Sequence, residues 1–115
     1  MALSELELKR ITKAVDQFML KRRPHPAIRD QVDVGYTITG HSVELFEIRP
    51  DWRDKSIIRR SPFAKMTFVR TRNVWNLFWM RADLRWHAYP PVPHVPTIEE
   101  ALQVVDEDSH CCFFG

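Results

Sequence analysis

The sequence is poor in glycine, in cysteine and in long apolar runs. Its three glycines, Gly35, Gly40 and Gly115, are far apart, so no glycine-rich loop that could cradle a phosphate is present. The two cysteines, Cys111 and Cys112, are adjacent, which predicts reduced thiols and provides no Cys-x-x-Cys pair for zinc. No apolar stretch approaches the roughly 18 residues of a membrane span. These shortages argue against a P-loop enzyme, a disulfide-stapled secreted protein and an integral membrane protein.

The rest of the composition is that of an ordinary soluble domain. The 115 residues suffice for one domain with a modest core, and 44% hydrophobic and 28% charged residues are typical values. The first residues, 1–5, carry charge where a secretory peptide is apolar, so we predict a cytoplasmic protein without membrane contact. We predict one domain over residues 1–115, ending in an apolar tail at 110–115.

The net charge of +2 conceals an uneven distribution. The stretch from Arg49 to Arg85 holds ten Lys or Arg residues and three acidic ones, whereas the chain from Trp86 onward holds five acidic residues and no Lys or Arg. Such a pattern indicates either compensation within the fold or between subunits, or a basic surface for an anionic partner such as nucleic acid.

Three strand patterns in succession, Phe63–Thr71, Val74–Arg81 and Leu84–Tyr89, predict an antiparallel meander. Two-residue gaps separate them and predict tight hairpins, the first of which contains Asn73, a residue that tolerates a positive φ. Because side chains alternate along a strand, this pairing sorts them onto two faces. The predicted core face carries Ala64, Met66, Phe68, Trp75, Leu77, Trp79, Leu84, Trp86 and Ala88. The mixed second face carries Lys65, Thr67, Val69, Thr71, Asn76, Phe78, Met80, Arg85, His87 and Tyr89. A one-residue shift in either hairpin would exchange the faces of a strand.

One helix is predicted before the strands in the sequence and a second one after them. A capping box at Ser4–Glu7 begins the first, whose apolar positions Leu8, Ile11, Val15 and Phe18 recur at helical spacing. A second box at Thr97–Glu100 begins a short helix with Ile98, Ala101, Leu102 and Val105 on one side.

The remaining segments complete the predicted order. Val34–Thr39 and Ser42–Arg49 predict a hairpin about Gly40-His41, Pro50–Ser61 a charged loop, and Pro90–Pro96 a connection without a central strand. The fold class is therefore α+β, a single domain with an N-terminal helix, a five-stranded antiparallel meander sheet and a short C-terminal helix. The first helix is expected to cover the aromatic sheet face.

Six stretches of the chain have a distinctive wording: residues 2–7, 21–24 (Lys-Arg-Arg-Pro), 28–30, 42–50 (Ser-Val-Glu-Leu-Phe-Glu-Ile-Arg-Pro), 79–84 (Trp-Met-Arg-Ala-Asp-Leu) and 106–108. Through them the chain resembles, across nearly its whole length, the bacterial domain-of-unknown-function 3024 family. The resemblance implies a compact, one-domain bacterial cytoplasmic protein and supplies no activity, cofactor or catalytic residue.

The leading functional hypothesis is a non-enzymatic binding or interaction module without a cofactor. It would use the mixed sheet face, the Pro50–Ser61 loop, or both, and would bind a protein partner or a second copy of itself. The candidate binding face comprises Glu44, Lys65, Asn76, Phe78, Arg85, His87 and Tyr89.

Two alternatives remain open. A nucleic-acid-binding domain would use the basic segment 49–85, where cations meet phosphates and Trp52 and Phe78 meet bases. Its anion-binding candidates are Arg53, Arg59, Arg60, Arg70 and Arg72. A metal-dependent nuclease would gather Asp33, Glu44 and Glu47, although Arg49 stands where such enzymes have a lysine and cannot act as a base. Asp108, His110, Cys111 and Cys112 are crowded, but adjacent ligands rarely complete one tetrahedral metal site.

Overall fold

The computed structural model describes residues 3–109 and 112–113, which form two helices and one antiparallel sheet. In chain order, the elements are helix α1 (Glu5–Arg22), a 3₁₀ turn (Pro26–Ile28), strands β1 (Asp33–Thr39), β2 (Ser42–Pro50), β3 (Ile58–Val69), β4 (Val74–Met80), β5 (Trp86–Ala88) and β6 (His94–Val95), and helix α2 (Ile98–Glu107). The predicted α+β class with a five-stranded meander between two helices is confirmed. The two-residue β6 is an addition, lying on the edge where its neighbouring prolines do no harm.

Both helices begin at the predicted caps. The Ser4 hydroxyl accepts from the N–H of Glu7, whose carboxylate accepts from the N–H of Ser4, and the Thr97 hydroxyl caps α2 by accepting from the N–H of Glu100. All four predicted apolar positions of α2 are buried. In α1 the prediction is wrong for Leu8, which is exposed, and Met19 is buried beside Ile11, Val15 and Phe18.

The hairpin of β1 and β2 follows its prediction closely. Thr39 pairs with Ser42 across Gly40-His41, and Gly40 has a φ of 59°, a conformation that glycine adopts without steric cost. The β3–β4 hairpin differs in length because Val69 pairs with Val74, leaving a four-residue loop in which Asn73 has the expected positive φ of 52°. The register therefore shifts by two residues, which leaves the predicted faces of β3 and β4 unchanged.

The β4–β5 hairpin corrects the face assignment. Met80 pairs with Trp86 and Phe78 with Ala88, so the turn is one residue longer than predicted. Leu84 adopts a left-handed φ of 61°, as the last residue of a three-residue hairpin loop often does. Since a one-residue shift reverses every side chain of a strand, Trp86 and Ala88 leave the core face.

β3 begins five residues earlier than predicted. Its first half, which the sequence predicts as loop, pairs with the end of β2 from Phe46↔Pro62 to Pro50↔Ile58. A bulge at Leu45/Phe46 joins the two halves of this pairing. β4 pairs only with residues 64–69, so residues 46–62 extend beyond it as a projection that we call the arm, with the loop 51–57 as its tip. β1 pairs with the base of the arm as far as Ile48, and beyond that residue the arm has two strands.

The hydrophobic core lies between the two helices and one sheet face, which we call the inner face. It joins the buried residues of both helices to Val43, Leu45, Ala64, Met66, Trp75 and Leu77 of the sheet. The tail contributes Phe113, whose ring centroid lies 4.8 Å from that of Tyr89. Both helices pack on this side, so the opposite, outer face carries neither of them.

Candidate binding surfaces

A row of side chains crosses the middle of the outer face. Backbone pairing places Glu44 beside Lys65 and Lys65 beside Phe78, so these three predicted residues come together. The Lys65 ammonium nitrogen lies 5.8 Å from the ring centre of Phe78 and 5.9 Å from that of Trp86. This spacing is within the range of a cation–π contact. Trp86 was missed as a surface residue because its face depended on the register of β5.

A second, polar row runs parallel to the first. Asn76 pairs with Thr67 on one side and with His94 of β6 on the other, and the hydroxyls of Ser42 and Thr67 are 2.8 Å apart. Asn76 therefore lies on the outer face as predicted. The two rows together present a half-buried surface on which polar groups adjoin aromatic rings.

Three predicted site residues do not lie on this face. Tyr89 is a core residue with 1% of its surface exposed, and its N–H donates to the carbonyl of Leu77. His87 lies opposite Trp79 and its Nε2 is 2.8 Å from the Asp83 carboxylate. Arg85 belongs to the exposed β4–β5 turn. The assignment of these three to the mixed face is wrong because the turn before them is one residue longer than its sequence suggested.

The five anion-binding candidates are divided between the two ends of β3. Arg53 lies at the tip of the arm and Arg59 and Arg60 on its second strand, whereas Arg70 and Arg72 lie in the β3–β4 turn. The length of β3 separates these groups by roughly 35 Å. Arg70 is bound to both carboxylate oxygens of Glu7, at 2.9 and 3.1 Å. The basic segment 49–85 is therefore not one continuous cationic surface.

The tip of the arm is ordered by two aspartates. Asp51, a buried carboxylate, accepts from the Arg53 N–H and from the Arg59 guanidinium, and its own N–H donates to the carbonyl of Ile57. The Arg59 contact and the Arg53 N–H hold the pKa of Asp51 below its usual value. Asp54 accepts from the N–H and the hydroxyl of Ser56.

The ordered tip presents an exposed aromatic ring beside a groove. Trp52 is 83% exposed, and the guanidinium carbon of Arg53 lies 4.8 Å from its ring centre. The groove has a volume of about 560 Å³ and is lined by Gln31, Arg49, Pro50, Asp51, Trp52, Arg53, Arg59 and Ser61. On the other side of the arm, Arg60 covers Phe46 at 5.0 Å from the ring centre.

The three acidic residues of the nuclease hypothesis, Asp33, Glu44 and Glu47, do not converge on one site. Glu44 and Glu47 are three residues apart on β2, so their side chains lie on opposite faces. Glu47 accepts from Arg49 at 2.6 Å, and Asp33 accepts two bonds from Arg23 at 2.9 and 2.7 Å. The Arg23 contact lowers the pKa of Asp33, which favours a structural ion pair. Each of these two carboxylates is therefore paired with a different arginine.

No metal site is visible in the part of the chain that the structure describes. Within those residues, no three His, Cys, Asp or Glu side chains come close enough together to hold an ion. Two members of the crowded group near the C-terminus, His110 and Cys111, lie outside the described residues. Among residues 3–109 and 112–113, no helix has the length and apolar character needed to cross a membrane.

Comparison with known proteins gives a family and no function. A family model described as a domain of unknown function, DUF3024, matches residues 3–115. No curated protein and no solved structure matches the chain significantly.

Proposed function

We propose that this protein, which belongs to the DUF3024 family over essentially its whole length, is a non-enzymatic binding module. The description of the family gives no activity, so the proposal rests on the geometry of the fold. The proposed working surface is the outer sheet face, and the proposed occupant is a protein partner or a second copy of the chain. One observation carries this proposal: both helices pack on the inner face, which leaves Phe78, Met80 and Trp86 half-buried on the other.

The composition of the outer face supports a protein occupant. Aromatic residues and methionine are enriched at protein interfaces, where one partner's rings are covered by the other's. The Lys65 side chain lies over two such rings, and its ammonium has no ion-pair partner among the described residues. A partner that brings a carboxylate to Lys65 and apolar side chains to Phe78 and Trp86 would complement both properties.

The positions of the charged residues disfavour both alternatives in the form that the sequence predicts. A nucleic-acid interface over the whole segment 49–85 is disfavoured by the separation of its cations along β3. A metal-dependent nuclease is disfavoured by the opposite faces of Glu44 and Glu47. The predicted cytoplasmic location accords with a protein-binding role and stays a prediction.

The experiment compares two substitutions of apolar residues by aspartate. Phe78→Asp places a charge in the centre of the proposed interface, and Leu20→Asp places one on the solvent side of α1, where Leu20 is 86% exposed. We expect the unmodified chain to self-associate in sedimentation equilibrium or to retain a defined protein in affinity capture, and Phe78→Asp alone to abolish this. Thermal melts verify that both variants remain folded. A monomer that captures nothing, or a complex that survives Phe78→Asp, would contradict the proposal.

A further inference from the structure

We infer that the groove on the arm is a second binding site, one that takes single-stranded nucleic acid. In this inference Arg53 and Arg49 contact phosphates, and the Trp52 indole stacks on an unpaired base. The groove is separate from the row of Lys65 and Phe78, so the inference does not depend on the proposed use of the outer face.

The first argument is the state of Trp52. A tryptophan buries a large apolar surface when it packs, yet this one is 83% exposed and belongs to no core cluster. The tip that carries it is held by the hydrogen bonds of Asp51 and Asp54, so the ring is presented by an ordered backbone. A preformed aromatic platform lowers the entropic cost of binding a flat ligand.

The second argument is charge. Residues from Arg49 to Arg60 include five cations, Arg49, Arg53, Lys55, Arg59 and Arg60, against the two acids Asp51 and Asp54. Asp51 is engaged by Arg59, and Glu47 by Arg49. Arg53 lines the groove and has no ion-pair partner among the described residues, and Arg49, although paired with Glu47, lines the same groove with a side chain that is 60% exposed.

The third argument distinguishes the classes of polyanion. In the groove, guanidinium groups lie beside an exposed indole and the polar side chains of Gln31 and Ser61. Phosphate contacts together with an aromatic stacking surface are the elements of single-strand recognition. In a duplex the bases are already stacked on one another and offer Trp52 no exposed face. A lipid surface is a poorer match, because insertion of the tip would require the charges of Asp54 and Lys55 to lose water.

The test measures binding of fluorescein-labelled (dT)20 and (U)20 by fluorescence anisotropy at low salt. We expect Trp fluorescence to be quenched on binding, and the logarithm of affinity to fall against the logarithm of salt with a slope of about −1.4, as for two phosphate contacts. Trp52→Ala should weaken binding roughly 5- to 150-fold, the loss expected for one stacked base, and Arg53→Gln should weaken it and lower the slope. A duplex of the same length should bind more weakly.

Matched controls make the outcomes distinct. Arg72→Gln removes an exposed cation from the other end of β3 and is expected to leave affinity within twofold. Absence of binding, equal loss in Arg72→Gln, or binding to phosphatidylserine vesicles in preference to the oligonucleotides would overturn the inference. Arg59→Gln is avoided because it would leave the Asp51 carboxylate without its cation. The self-association and capture measurements use no oligonucleotide, so the proposed function stands or falls separately.

Discussion

At the scale of single residues, left-handed backbone conformations decide the register of the sheet. Asn73 and Leu84 each have a positive φ in a hairpin loop, at 52° and 61°. Asparagine adopts this conformation readily and signals a turn in the sequence, whereas leucine rarely does. The N–H of Leu84 nevertheless donates to the carbonyl of Arg81, and the N–H of Arg81 to the carbonyl of Arg85. Nothing in the sequence therefore indicated that Leu84 is a third loop residue, and the faces of β5 could not be assigned correctly without it.

Replacing Leu84 by glycine is expected to stabilise the protein. Leu84 is 81% exposed, so little packing is lost, while the steric cost of a left-handed residue with a Cβ is removed. Because glycine also has more conformational entropy to lose, we expect a net gain of about 0.5–1 kcal/mol in the free energy of unfolding, measured by urea denaturation. Asn73→Gly is the matched control and should change stability less, because asparagine already adopts the left-handed conformation at little steric cost. Equal effects of the two substitutions would contradict this account.

At the scale of elements, ion pairs join helix ends to their neighbours. The acidic end of α2 is unfavourable for the helix dipole, and fraying would be expected there. Lys21 and Arg22 at the end of α1 compensate, because both donate to the Asp106 carboxylate at 2.6 Å. The Lys21 contact, followed by that of Arg22, lowers the pKa of Asp106. Two helix ends that carry opposite charges therefore stabilise each other.

Glu7 joins the start of α1 to the β3–β4 turn. Its carboxylate accepts from Arg70 and from the N–H of Ser4, and these contacts, that of Arg70 first, lower its pKa from 4.5 to about 2. Because the folded-state pKa is the lower one, the charged carboxylate stabilises the fold fully above pH 4.5, and this contribution is lost as the pH falls from about 4.5 towards 2.

The corresponding prediction concerns the acid sensitivity of a Glu7→Gln variant. The variant should be less stable than the unmodified chain at pH 7, and the difference between them should shrink as the pH falls from about 5 to about 3. Urea denaturation at a series of pH values measures it. Glu5→Gln, in the same helical turn, is the control and should follow the unmodified chain. A stability difference that is independent of pH would show that Arg70 does not interact with the Glu7 charge.

At the scale of the whole molecule, Phe113 closes the core. Phe113 is 7% exposed and packs on Tyr89, while its N–H donates to the Asp108 carboxylate at 3.0 Å. The apolar character of the tail predicts packing on the sheet, on a neighbour or on a partner, and at Phe113 it packs on its own domain. The residue that receives it, Tyr89, is the one that the predicted register had placed outside.

Removing the contact between Phe113 and Tyr89 should therefore destabilise the entire fold. Phe113→Ala removes a buried ring and is expected to lower the free energy of unfolding by about 2–4 kcal/mol, with a matching fall in Tm. Leu20→Ala, on the exposed side of α1, is the control and should stay within about 0.5 kcal/mol. An unchanged denaturation midpoint for Phe113→Ala would mean that the tail does not contribute to the core in solution.

Local signals in the sequence determined the elements of this protein. The capping residues Ser4 and Thr97, the apolar spacing in α2 and the Gly40-His41 turn each act within a few residues, so the helices and the β1–β2 hairpin could be predicted. The same holds for Glu44, Lys65, Asn76 and Phe78 on the outer face, because a two-residue shift preserves side-chain alternation.

Only the tertiary structure decided which residues meet across those elements. The extension of β3 to Ile58 depends on pairing with β2, the burial of Tyr89 on a one-residue difference in a turn, and the separation of Arg53 from Arg72 on the length of one strand. Strand register and the placement of a chain end are set by the total free energy of packing distant segments. No short stretch of sequence contains that sum, which is why the binding surfaces emerged only from the assembled fold.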